Sequence, residues 1–98
     1  MARIFAVTIV RGPRWNEPRA MEEQEDWRPH ADFMNALKAE GFVVLGGPLE
    51  GTRQVLLILR SEGPEQIRTR LAEDPWHQHG LLQIVQIVPW QLRLGSLP

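Results

Sequence analysis

Residues 41–60 read Gly41-Phe42-Val43-Val44-Leu45-Gly46-Gly47-Pro48-Leu49-Glu50-Gly51-Thr52-Arg53-Gln54-Val55-Leu56-Leu57-Ile58-Leu59-Arg60, two apolar runs separated by turn residues. Short runs of β-branched and aliphatic side chains bounded by glycine and proline read as strands, here over residues 42–45 and 53–60. The connection Gly46-Gly47-Pro48-Leu49-Glu50-Gly51 is too short to hold a helix, so the two strands form a hairpin. A helical pattern lies on either side of it. Before the hairpin, Phe33, Met34, Ala36 and Leu37 fall at helical spacing over residues 27–40. Asp26 serves there as N-cap, Pro29 is tolerated in the first turn, and Gly41 is the left-handed stop. After the hairpin, Ser61-Glu62-Gly63-Pro64 opens a second helix with Ile67 and Leu71 on one face and Arg68 and Arg70 outward, ending before Pro75.

Two further strands bracket these elements. Residues 3–11 carry Ile4, Phe5, Ala6, Val7, Ile9 and Val10, stopped by Gly12-Pro13. Residues 81–94 place Leu82, Ile84, Val88, Trp90, Leu92 and Leu94 on one face by the two-residue period, with Pro89 marking a bulge or an edge and Trp90 in the core. The order β-α-β-β-α-β predicts one α+β domain over residues 1–98, a ferredoxin-like four-stranded antiparallel sheet with two helices on one face. At this length about 60 to 65% of the unfolded surface is buried on folding. An open sheet with water on one side alternates apolar and polar residues, yet Phe5, Val7 and Ile9 oppose Ile4, Ala6 and Val10, and Leu56 and Ile58 oppose Val55, Leu57 and Leu59. Both sheet faces therefore read as buried, which predicts a homodimer formed through the sheet faces.

Composition narrows the function classes. Eleven Lys and Arg against twelve Asp and Glu, a net charge of -1, leave no basic footprint for nucleic acid. With no Cys, disulfides, thiolate catalysis and Cys-ligated zinc are excluded, in keeping with a reducing compartment. Residues 1–10 are too short and too strand-like for a signal peptide, and no apolar run reaches the roughly 18 residues of a membrane span. The expectation is a cytoplasmic protein with no membrane partner. The polar stretch over residues 12–26, with Trp15 and an acidic cluster, reads as a surface excursion pinned by that indole, or as a lid or binding loop.

With these elements placed, the chain resembles the YCII-related (YciI-like) family of small dimeric α+β barrel proteins. The resemblance rests on Trp27-x-x-His30-x-x-Phe33-Met34-x-x-Leu37, on Glu40-Gly41-Phe42-Val43-Val44-Leu45-Gly46-Gly47-Pro48-Leu49, and on Asp74-Pro75-Trp76 with Gly80 before the last strand. It covers nearly the whole chain. It implies His30 and Asp74 as the catalytic pair and, because one branch of that family eliminates HCl from chlorinated hydroxyquinols, chemistry of lyase type without a cofactor.

The residues themselves add to this. His30 lies near a helix N-terminus, where unsatisfied N–H groups and the helix dipole favour a bound anion, and a carboxylate such as Asp74 would hold its ring in one tautomer. Asp before Pro is equally a common turn opener, and that role is compatible with the first. Gly46 and Gly47 allow a ligand to approach the backbone, or form only a tight turn. Trp27, Trp76 and Trp15 form the walls of an aromatic pocket, or core. Arg11, Arg14 and Arg19 are candidates for attracting an anion, or plain surface charge. His77-Gln78-His79 raises a metal question, but on a helical or irregular turn both rings read as solvent-facing, and no metal is expected. The expected function is a cofactor-independent lyase or isomerase acting on a small anionic or aromatic compound. The alternatives are a non-catalytic anion-binding or accessory protein and a cofactor-free oxygenase.

Overall fold

The computed structural model describes residues 1–98. Strand β1 (Arg3–Arg11) is followed by a loop with one 3-10 turn at Met21–Glu23 and by helix α1 (Trp27–Ala39). Strands β2 (Val43–Pro48) and β3 (Gln54–Ser61), helix α2 (Pro64–Leu71), the four-residue helix α3 (Pro75–Gln78) and strand β4 (Leu82–Pro89) complete the chain. The sheet order is β2-β3-β1-β4 with every pair antiparallel, the ferredoxin-like α+β arrangement expected, with α3 as an addition. No helix is long and apolar enough to cross a membrane.

Inward residues alternate along the two central strands, Phe5, Val7 and Ile9 on β1 and Leu57 and Leu59 on β3, and all are buried. Against them pack Leu37 of α1, Ile67 and Leu71 of α2, and Trp76 of α3. Helix α1 stops where expected, because Gly41 takes φ +82°. The amide of Gly41 then reaches the Lys38 carbonyl at 2.9 Å and that of Phe42 the Leu37 carbonyl at 3.0 Å, satisfying two carbonyls of the last turn. The start of α1 differs in mechanism. Asp26 precedes the helix, but its side chain makes no cap bond; its carboxylate pairs with His79 Nδ1 at 2.8 Å instead.

Three strand boundaries depart from the sequence reading. Gly46, Gly47 and Pro48 belong to β2 and pair with Leu57, Leu56 and Val55, so the turn lies beyond them. There the Thr52 hydroxyl donates to the Leu49 carbonyl at 2.8 Å and accepts from the Gln54 amide at 3.0 Å. In β4 the register against β1 jumps between Thr8 and Ile9, whose partners are Gln86 and Ile84, leaving Val85 as a bulge. The extra residue reverses the two-residue period. Ile84 and Ile87 oppose the inward Ile9 and Val7, whereas Val88 opposes Ala6 on the outer face. The strand ends at Pro89, and the pairing with β1 closes on the bond from the Trp90 amide to the Ile4 carbonyl. Trp90 is accordingly 44% exposed, not core.

Trp15 and Gln24 order the loop after β1. Trp15 is buried in the core cluster, and the nearly buried Gln24 side chain donates to the Asn16 and Arg19 carbonyls and accepts from the Asn16 amide. The loop leaves the sheet at Gly12, whose amide bonds the Leu81 carbonyl at 2.8 Å. A Cβ at Gly12 would lie 2.3 Å from the Gly80 carbonyl oxygen, so backbone meets backbone and neither can yield. Gly12→Ala should therefore cost about 1–3 kcal/mol, read as a lowered urea midpoint. Gly47→Ala, with open space at its Cβ, should leave the midpoint nearly unchanged.

Candidate active site

Asp74 is both the N-cap of α3 and its deepest polar group. Pro75 at the first helical position has no N–H to satisfy, and the Trp76 amide donates to Asp74 Oδ1 at 3.2 Å. The carboxylate is completely buried. His30, in the first turn of α1 and 44 residues away in sequence, brings Nδ1 to 2.9 Å from both carboxylate oxygens. An ionised carboxylate only accepts, so the ring hydrogen sits on Nδ1 and Nε2 carries the lone pair. No protein group bonds Nε2, and no buried side-chain nitrogen or oxygen of the chain lacks a partner, so Nε2 is open to the space in front of it.

Stacking holds the ring in place. The imidazole lies on the Trp76 indole with centroids 3.7 Å apart and planes 8° from parallel. Trp15 meets the same indole edge-on at 5.2 Å, and Trp27 packs against it at 5.8 Å. The indole N–H of Trp76 donates to the Glu25 carbonyl at 2.6 Å, tying α3 to the end of the loop. His30, Trp76 and the loop thus form one rigid unit.

In front of His30 lies a cavity of about 640 Å³. Helix α1 lines it with Trp27, His30, Ala31, Met34, Asn35 and Lys38, one stripe at helical spacing, while Leu37 faces the core. Strand β2 supplies Gly46 and Gly47, and Trp76 and Trp15 close the end near the base. At Gly46 a Cβ would stand 2.6 Å from Leu57 Cδ2, so the missing side chain there gives room to a neighbouring leucine. Asp74 does not line the cavity; it stands behind His30. Arg11 and Lys38 are the charged residues of the lining, which contains no carboxylate. Of the three candidate arginines only Arg11 is present, its guanidinium 4.5 Å over the Trp15 ring.

His77 corrects the expectation of two solvent-facing histidines. One turn after Asp74 on α3, its side chain is only 9% exposed, its Nε2 is 3.8 Å from Asp74 Oδ2, and it lines the cavity. Burial pushes its imidazole below the ordinary value of 6.5, with the Asp74 charge opposing the shift and His30 adding to it. His79 faces the other way, more than half exposed, and pairs with Asp26. No three His, Asp or Glu side chains are grouped to hold a metal ion. The signal for His77 was its spacing of three residues from Asp74, which places the two together once residues 75–78 are helical.

Residues 7–91 match the family model of the YCII-related domain. Among solved structures the chain is similar to 5-chloro-2-hydroxyhydroquinone dehydrochlorinase (TftG) from Burkholderia phenoliruptrix AC1100, solved in complex with 2,5-dihydroxybenzoquinone. The TM-score is 0.58 at 20% identity, over 94% of this chain and 95% of that one, which establishes a shared fold. Comparison with curated proteins gives no match.

The lowered His77 value ties stability to pH. Below its ordinary value the unfolded chain takes up a proton that the folded ring refuses, so stability contributed by the neutral ring is present above pH 6.5 and falls as the pH drops toward the folded value. Urea unfolding between pH 8 and 5 should lose stability less steeply in His77→Asn than in the unaltered chain. Equal slopes would contradict the burial of the ring.

Proposed function

The chain belongs to the YCII-related domain family, and on that footing we propose that it is a cofactor-independent enzyme of lyase or isomerase type. His30 takes a proton from a small anionic or aromatic compound, and Asp74 orients its ring. The observation that carries this reading is the double contact of His30 Nδ1 with the buried Asp74 carboxylate, which leaves Nε2 as the free nitrogen at the cavity.

A lone pair so placed forms an N–H bond with a ligand O–H or C–H hydrogen. The electrons of the broken bond pass into the ligand, to depart with a leaving group in an elimination or to bind a proton at another atom in an isomerisation. The imidazolium formed lies between the Asp74 carboxylate and the face of Trp76, both of which attract positive charge. Negative charge developing on a ligand oxygen meets Arg11 and Lys38, with the backbone of Gly46 and Gly47 beside it. Trp27 and Trp76 offer flat walls to a ring. That a protein of the same fold is a dehydrochlorinase named for a chlorinated hydroquinone supports elimination as the reaction class. A second reading, anion binding without turnover, draws support from the two cations and the absence of any carboxylate in the lining.

We also propose a homodimer through the open sheet face. Ile4, Ala6, Leu56, Leu45 and Val88 form an apolar strip there around a buried Ile58, with Leu45 47% and Val88 38% exposed. A second copy with the same strip is the self-complementary partner such a surface fits. Light scattering should give a mass of twice 11.3 kDa, and Ala6→Glu, at the centre of the strip, should give monomer.

Chloride release from 5-chloro-2-hydroxyhydroquinone and absorbance titration with 2,5-dihydroxybenzoquinone test the site. His30→Ala should lower turnover by about 10²–10⁴-fold. Asp74→Asn should do the same while the fold persists, because the amide no longer dictates the tautomer. Turnover unaffected by either change would overturn the enzyme assignment. Binding that is lost in His30→Ala, without any product in the unaltered protein, would favour the anion-binding reading.

A further inference from the structure

Two imidazoles line the cavity, His30 and His77. Both rings stand beside one carboxylate oxygen: Asp74 Oδ2 is 2.9 Å from His30 Nδ1 and 3.8 Å from His77 Nε2. At 3.8 Å no hydrogen bond forms, but a carboxylate that close draws the ring hydrogen onto the nitrogen facing it. The hydrogen of His77 then sits on Nε2 and the lone pair on Nδ1. No protein donor reaches Nδ1, and since no buried side-chain nitrogen of the chain lacks a partner, Nδ1 is accessible on a residue that lines the cavity. A histidine merely packed into a core would have that nitrogen bonded or sealed away.

We propose that His77 is a second ligand-binding residue of this site, whose Nδ1 accepts the hydrogen of a second donor group on the ligand held at His30 Nε2. One carboxylate therefore sets both rings, and the pair of lone pairs selects a compound with two hydroxyl or N–H donors over one with a single donor. Lys38 and Arg11 are the cations of the same cavity and supply no acceptor, so its side-chain acceptors are the two rings and the amide oxygen of Asn35.

This inference rests on the assignment of His30 as the group that meets the ligand, and a cycle of ligands against variants separates the two. The probes are phenol and the three benzenediols, with dissociation constants measured by calorimetry. In the unaltered protein one diol should bind about tenfold more tightly than phenol, and which isomer does so reads the spacing of the two acceptors. His77→Phe should weaken the diol far more than phenol, reducing the advantage of the diol to less than about threefold. His77→Gln, which restores an acceptor oxygen, should recover part of it. A structural role for His77 would weaken both probes alike, and that result would overturn the proposal. So would a diol advantage that survives in His77→Phe, or one absent from the unaltered protein. Phenol binding indifferent to His30→Ala would remove the underlying reading itself. Nitrogen-15 NMR of the unaltered protein gives an answer independent of whether the variants fold: the His77 ring should be the Nε2–H tautomer, and the Nδ1–H tautomer would overturn the proposal.

Discussion

A carboxylate with no exposure to water governs the architecture around it. Moving Asp74 out of solvent without compensation would cost several kcal/mol, and the chain meets that cost with the Trp76 amide and the ring hydrogen of His30. One donor is local and needs only α3 to begin at Pro75; the other needs α1 docked against α3. The same bond that makes the burial tolerable also fixes the tautomer of His30, so structural necessity and chemical readiness arise from one contact. Without the carboxylate the ring would be free to carry its hydrogen on either nitrogen, and its free nitrogen would have no assigned role.

The loop after β1 extends this constraint outward. Gln24 binds the loop's own carbonyls and amide, Trp15 sits edge-on to Trp76, and the Trp76 indole bonds the Glu25 carbonyl. Each contact restricts the indole on which His30 stacks, so a fifteen-residue stretch that reads as a polar excursion is a wall of the site. Gln24 holds the middle of the loop, while its ends are held by the Gly12 and Arg14 amides on the Leu81 and Gly80 carbonyls and by the pairing of Asp26 with His79.

What could be read from residue order alone was whatever short-range physics decides. β-Branched runs, the glycine stop at Gly41 and the Pro64 helix start gave the element sequence and hence the topology, because each depends on neighbours within a few residues. Gly46 and Gly47 looked like turn residues because glycine is permissive, and only the pairing with β3 shows that they continue the strand. The bulge lies at Val85 and not at Pro89; its mark is the three-residue spacing of Gln83 and Gln86, which share the outer face only if the two-residue period breaks between them, and with the period reversed Trp90 is exposed. His30 and Asp74 were singled out by motif, whereas their contact is a long-range fact. His77 is misplaced for a related reason: a helical or irregular turn is legible there, but that its Asp74 side packs inward is a long-range fact.

The cavity exists because α1 and β2 are kept apart by what they lack as much as by what they carry. Ala31 on the helix and Gly46 and Gly47 on the strand are too small to fill the space between the two elements, and the room at Gly46 is already claimed by Leu57. An apolar void of that kind destabilises a small domain, whose core has little surplus stability. Here the void is lined at intervals by His30, Asn35, Lys38, Arg11 and His77, groups that water or a ligand can satisfy, so the space is tolerable when occupied. Polar residues on an otherwise apolar helix stripe are a poor way to build a core and a direct way to build a binding site. The stability given up between α1 and β2 is offset by Phe5, Val7, Leu59, Ile67 and Leu71, which are sealed from solvent in the same layer between sheet and helices.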